Sequence, residues 1–247
     1  MNQQLLNKQI LYYAVKYQGE YLKMKQAIQN EESYEMIEYD GSYITILDDQ
    51  YPKSLLRLND PPYILFYEGN IALLKHLNVA VVGSRVASDY GVKMCKWLVN
   101  RLKKKYCICS GMALGIDSIA HCEALSHQSI AVLGCGIDIC YPKSNYSLYQ
   151  ILKQDHLIIS EYPNGVAPLK HHFPKRNRII AALSKALIVC EANKKSGTMI
   201  TVNEALNMQI PIYAIPHNID QNHGKGCNLL IQQGANMIID EYDIDTI

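Results

Sequence analysis

Val79-Ala-Val-Val-Gly83-Ser84-Arg85 runs four apolar residues into a turn of two small residues and a cation. The pattern recurs in Tyr106-Cys-Ile-Cys-Ser110-Gly111, in Ile130-Ala-Val-Leu-Gly134, in Leu157-Ile-Ile-Ser160-Glu161 and in Ala186-Leu-Ile-Val-Cys-Glu191. Each run is short and apolar at successive positions, as a strand covered on both faces requires. Runs at 210–215 and 236–239 complete the series. Helical stretches separate them at 90–105, 117–126, 145–154, 175–184 and 201–208. Strands alternating with helices build βαβ units, so the pattern predicts an α/β, Rossmann-like fold: a mostly parallel sheet with helices on both faces.

Ahead of this pattern the chain reads differently. Leu5, Leu6, Ile10, Tyr13, Tyr17 and Tyr21 recur at three- or four-residue steps and predict a helical stretch over 5–30. Its tyrosines read as a packing face rather than as base-binding groups. Residues 31–50 are acidic and end in a strand-like piece at 43–47, and Asp60-Pro61-Pro62 excludes regular helix and reads as a turn. A soft boundary at 68–78 divides a small, mainly helical N-terminal segment and lead-in, 1–70, from the Rossmann-like unit, 71–247.

Of 247 residues, 49% are hydrophobic and 19% charged, which excludes a disordered chain. The net charge of +1 hides an uneven distribution. Residues 1–80 hold 7 basic and 10 acidic side chains, 81–182 hold 13 and 6, and 183–247 hold 4 and 7. The basic middle third suits a polyanionic partner. The N-terminus shows no signal-peptide pattern and no run is long enough to span a membrane, so a cytoplasmic location is expected. The eight cysteines lack CxxC spacing and read as buried free thiols of a reducing compartment, with a zinc site as the sharper alternative. No metal and no cofactor is implied.

In a sheet of this kind ligands bind beyond the carboxyl ends of the strands. The residues there are Gly83-Ser84-Arg85, Ser110-Gly111, Gly134-Cys-Gly136, Glu161, and Glu191 followed by Lys194-Lys195-Ser196-Gly197-Thr198. Glycine turns permit close backbone approach, and free N–H groups at helix starts favour anions. GxGxxG, GxxxxGK[ST] and GxSxG are all absent, which argues against a dinucleotide site, a P-loop and a serine-hydrolase elbow. Lys170-His-His-Phe173-Pro-Lys175-Arg176-Asn177-Arg178 places four cations in nine positions at a helix start. Cations are unfavourable at that end of a helix. Their presence there fits either an anionic ligand or pairing with Glu161 or Glu191. Phe173 suits base stacking or a place in the core. Asp117 and His121, spaced i,i+4, read as a helix-start acid with a neighbouring imidazole or as an acid–base pair.

The motifs in this order resemble the bacterial DNA-processing protein A (DprA/Smf) family. The matching pieces are Asp60-Pro-Pro with Tyr67-Glu-Gly-Asn70, 79–85, 110–117, and 131–138 with Tyr141-Pro142. Next come 160–163, 173–180, Glu191-Ala192 with 196–198, and Gly226 with Leu230-Ile231 and Gly234-Ala235. The resemblance implies an extended Rossmann fold without a known reaction. It implies a protein that binds and protects single-stranded DNA, helps load the RecA recombinase during natural transformation, and forms homodimers. Matched by position, it implies a DNA site of Gly83, Ser84, Arg85, Ser110, Gly111, Lys170, Phe173, Lys175, Arg176, Asn177, Arg178, Lys195, Ser196, Gly197 and Thr198. Leu230 and Ile231 fall where the family self-associates. Pro216-His217 and Pro163-Asn164-Gly165 depart from its usual loops, and the N-terminal piece is short for its helical module. With the chain stopping at Ile247, no winged-helix domain is expected to follow. The alternative is a Rossmann-like enzyme that binds or cleaves nucleotides, with Glu191 and Lys195 as its acid–base and phosphate groups.

Overall fold

The computed structural model describes residues 3–247. Strands β1 (Ser42–Thr45), β2 (Ile64–Gly69), β3 (Asn78–Gly83), β4 (Cys107–Ser110), β5 (Ser129–Leu133), β6 (Leu157–Ser160), β7 (Leu187–Glu191), β8 (Ile212–Ala214) and β9 (Asn236–Met237) form one sheet. Its order is β1-β2-β6-β5-β4-β3-β7-β8-β9. The seven strands from β6 to β9 are parallel, and β2 joins antiparallel to both β6 and β1. The chain runs from β3 outward through β4, β5 and β6, then returns to add β7 on the other side of β3. This reversal opens a crevice beyond the carboxyl ends of β3 and β7. The fold is Rossmann-like, as the alternation predicts.

Helices α1 (Gln3–Lys16), α2 (Tyr21–Gln29) and α5 (Tyr146–Asp155) cover one half of one face. Helices α3 (Asp89–Leu102), α4 (Ile116–Ala124) and α9 (Glu241–Asp245) cover the other half. Helices α6 (His172–Ala182), α7 (Gly197–Asn207) and α8 (Lys225–Gln232) lie across the opposite face. Alternate strand residues serve the two faces: Ala80, Val82, Ile130 and Val132 point one way, and Val79, Val81, Ala131 and Leu133 the other. Every residue of β4, β5, β6 and β7 is buried, which is why these strands read as unbroken apolar runs.

The stretch expected to be helical over 5–30 is helical, as the two helices α1 and α2. It breaks where Gln18 and Gly19 take φ of 52° and 74°, and a Cβ on Gly19 would lie 2.5 Å from the Glu161 carbonyl oxygen. Strand β2 went unforeseen. Phe66 pairs with Ser160 and Glu68 with Ile158, so the lead-in supplies sheet as well as turn. Strand β9 is two residues long, and a reciprocal capping box between Asp240 and Asp243 starts helix α9 soon after it. The N-terminal tyrosines pack as expected: Tyr13 is fully buried, and Tyr12 and Tyr17 lie against the same cluster as Phe66 and Leu133. All eight cysteines are free, with Cys122 exposed and Cys140 half-buried. No helix among the described residues is long and apolar enough to cross a membrane.

Candidate nucleic-acid interface

The β3–α3 loop is fixed from below. The Ser84 N–H donates to the Glu191 carbonyl at 2.8 Å, and the Ser84 carbonyl accepts the Ile116 N–H at 3.1 Å. This holds Gly83-Ser84-Arg85 between the end of β7 and the start of α4. The Thr198 hydroxyl donates to the Gly83 carbonyl at 3.0 Å and ties the first turn of α7 to the same point. Above them opens a cleft of about 630 Å³. Gly83, Ser84, Arg85, Lys170, Phe173, Arg176, Asn177, Ser196, Gly197 and Thr198 all line it. The structure therefore brings together most of the residues that the motifs point to.

The cations of the basic segment divide by direction. Arg176 is buried yet faces the cleft. Its guanidinium donates to the carbonyls of Gly111 at 2.6 Å and of Val132, and to Asn177 Oδ1 at 3.0 Å. Burial lowers its pKa, and the charge of Asp117 opposes that shift. Asp117 lies at the start of α4, and burial raises its carboxyl above the ordinary range. That helix start is thus occupied by the protein's own acid. The start of α7 is free of one, and Ser196 Oγ beside it is buried with no partner among the described residues. An anion in the cleft has the α7 N–H groups as its ready donors.

Phe173 is half-buried within the cleft wall. Arg85 lies 5.8 Å and Arg176 6.0 Å from its ring centroid, and Tyr141 packs at 5.4 Å with the planes 36° apart. Arg85, Lys170, Lys175 and Lys195 are exposed, and none forms an ion pair among the described residues. Lys175 and Lys195 stand outside the lining.

Four expected site residues serve elsewhere. Arg178 faces away from the cleft, donating to Glu161 at 2.6 Å and Asp60 at 3.1 Å. Burial alone would lower its pKa, but the two carboxylates hold it above its ordinary value. The internal pairing weighed for the cluster therefore holds for this one cation. Ser110 is buried and donates to the carbonyl of Val81 on the neighbouring strand at 2.7 Å. Gly111 lies beneath Arg176, not on the cleft surface. Leu230 belongs to the core of α8 and Ile231 packs half-buried against that core, so Leu230 presents no surface for self-association.

His121 does not face Asp117. Its Nδ1 meets Ser129 Oγ at 2.7 Å inside the sheet–helix layer. The Glu191 carboxylate accepts from the Ser88 N–H at 3.1 Å and from the Ser88 hydroxyl, is fully buried, and does not line the cleft. The motifs missed Tyr141, Asn193, Thr201 and His223, which also line it. Tyr141 carried a signal, since the Tyr141-Pro142 pair belongs to the matching pieces.

Gly111 supplies a direct test of the frame. A Cβ there would meet the Arg176 guanidinium at 2.5–2.6 Å, and three acceptors hold that group in place. Gly111→Ala is expected to cost about 1–3 kcal/mol in a urea melt. An unchanged midpoint would mean that Arg176 is not held as described.

A family model described as DNA recombination-mediator protein A matches residues 42–246. The chain is 45% identical over 202 residues to DNA processing protein DprA of Streptococcus pneumoniae, covering 81% of this chain and 72% of that one. It is 37% identical over 206 residues to protein Smf of Synechocystis, covering 81% and 52% respectively. The solved structure of Streptococcus pneumoniae DprA superposes with a TM-score of 0.82 at 38% identity, covering all of this chain and 93% of that one. DNA processing protein A of Helicobacter pylori, solved for its single-stranded DNA binding mode, gives 0.77 at 34% identity, covering 85% and 97%. A family match over most of the sequence and a shared fold together place this chain in the DNA recombination-mediator protein A (DprA/Smf) family.

Proposed function

We propose that this chain binds single-stranded DNA in the cleft beyond β3 and β7, protects it, and helps a RecA recombinase onto it during natural transformation. The observation that carries the reading is the unpaired Arg85 set over Phe173 beside the open start of α7. A phosphate is met by the α7 N–H groups and Arg85, and a base by the Phe173 face. Unpaired strands offer both at once. Family membership and the Helicobacter pylori relative support the same polymer. The binding unit is read as residues 71–247, the protein as a cytoplasmic homodimer, and its role as non-enzymatic. Glu191, which the nucleotide-cleaving alternative needs as an acid, is buried beneath Ser88.

Fluorescence anisotropy with a labelled single strand and the matching duplex, at two salt concentrations, tests this. The single strand is expected to bind more tightly and to weaken with salt. Arg85→Ala is expected to lower affinity about tenfold on every sequence and to reduce the salt slope by about 0.7. Equal affinity of wild type and Arg85→Ala would remove the cleft from the binding site. RecA loading is then read as faster filament formation on strands precoated with a single-strand-binding protein.

A further inference from the structure

Among the 18 tyrosines only Tyr141, Tyr146 and Tyr242 are exposed, at 45%, 59% and 74%. Tyr242 lies on α9. The other two stand five positions apart between β5 and α5, Tyr141 in the connecting loop and Tyr146 as the first residue of the helix. Tyr141 itself lines the cleft against Phe173. The segment that follows is tied to the cleft wall, because the Asn145 side-chain amide donates to the Met112 carbonyl at 3.0 Å and Ala113 is part of the lining. Leu114, the next residue, is 45% exposed. Phe173 and Tyr141 are thus in ring contact, and the Asn145 hydrogen bond joins the two segments that carry the exposed Tyr146 and Leu114.

The charge along this rim suits an anion. Lys143 lies between the two tyrosines, is exposed, and forms no ion pair among the described residues. Residues 139–154 contain no acid. Asp138, just before them, accepts the Gly165 N–H at 2.9 Å. On the α7–α8 side Asn193, Ser196 and His223 line the cleft, and the exposed Lys194, Lys195 and Lys225 are their neighbours along the chain.

Rings left in water beside an unpaired cation match one ligand chemistry, a nucleotide whose base is free to stack and whose phosphate is close by. A duplex hides those base faces. We infer that a single strand leaving the cleft continues across Tyr141 and Tyr146, with Lys143 on the phosphate between them. The inference rests on the single-strand reading of the cleft and names the next stretch of its path. Stacking of this kind does not read sequence, so the path accepts any bases.

The test is anisotropy with a labelled thymidine oligomer of about twelve nucleotides, within the range of roughly 4–16 that one binding module covers. Tyr146→Ala is expected to weaken binding about 5- to 150-fold, the range of one lost stacked base. Tyr146→Phe keeps the ring and is expected to bind as wild type, as is Tyr242→Ala. Thermal melts of the variants establish that each is folded. Wild-type affinity in Tyr146→Ala, with Arg85→Ala still weakened, overturns the path and leaves the cleft standing. Equal losses in Tyr146→Ala and Tyr146→Phe overturn it too, because the ring would not be the cause. Wild type failing to bind at all overturns the cleft reading itself and the path with it.

Discussion

Replacing Arg178 with Ala lowers the unfolding free energy by about 3–5 kcal/mol, the cost of stranding a buried carboxylate. Arg178 and Glu161 are 5% and 6% exposed, and their hydrogen bond of 2.6 Å neutralises both. Asp60, at 3.1 Å, is the outer member of the trio. Removing the cation leaves Glu161 without a counter-charge in the layer between β6 and α6. For a chain of this length the melting temperature should fall by about 10 °C. The double change Arg178→Leu with Glu161→Leu removes both charges and should recover most of the loss. Chemical denaturation of the two variants checks this. A loss of single-strand affinity in Arg178→Ala at undiminished stability would instead put Arg178 in the DNA path.

His121 is expected to withdraw stability as the pH falls below 6.5. Burial, followed by the nearby His156 and Arg176, lowers its pKa to about 3 from the ordinary 6.5. The unfolded chain takes up this proton at about pH 6.5 and the folded chain does not. The stabilisation is therefore complete above pH 6.5 and is lost as the pH falls towards 3. One proton of difference gives a slope of about 1.4 kcal/mol per pH unit. His156 and His172 are lowered by burial as well and add in the same direction. Asp117, Glu161 and Glu204, each raised by burial, act oppositely as they take up a proton more readily in the folded state. Comparing wild type with His121→Asn isolates the one imidazole. Between pH 6.5 and 4 the wild-type curve should fall more steeply by about 1.4 kcal/mol per unit. Parallel curves would show that His121 titrates normally.

Neither the pairing of Arg178 nor the surroundings of His121 are legible in local sequence. Lys175, Arg176 and Arg178 are indistinguishable as sequence: three cations on one helix start. Successive residues of a helix point about 100° apart, so they face different surroundings. Packing of α6 on the sheet sends Arg176 under the cleft, Arg178 to Glu161 and Lys175 into solvent. His121 and Asp117 share a helix spacing that suggests mutual contact. Ser129, from the neighbouring strand, offers His121 a buried partner at 2.7 Å instead.

By itself the sequence determined whatever depends on neighbours in the chain. Apolar runs such as 79–82 and 187–190 are strands because both their faces must be covered, and the intervening amphipathic stretches are the helices that cover them. The turns that follow them placed most of the cleft lining, since all parallel strands of such a sheet deliver their carboxyl ends to one edge. Tertiary structure alone decided the rest. It added β2 antiparallel to β6, and it matched Tyr141 to Phe173 across 32 residues of chain. It also selected which cation meets a carboxylate and which is left for a ligand. Those choices depend on groups distant in sequence competing for the same buried space, and no local pattern records which of them wins.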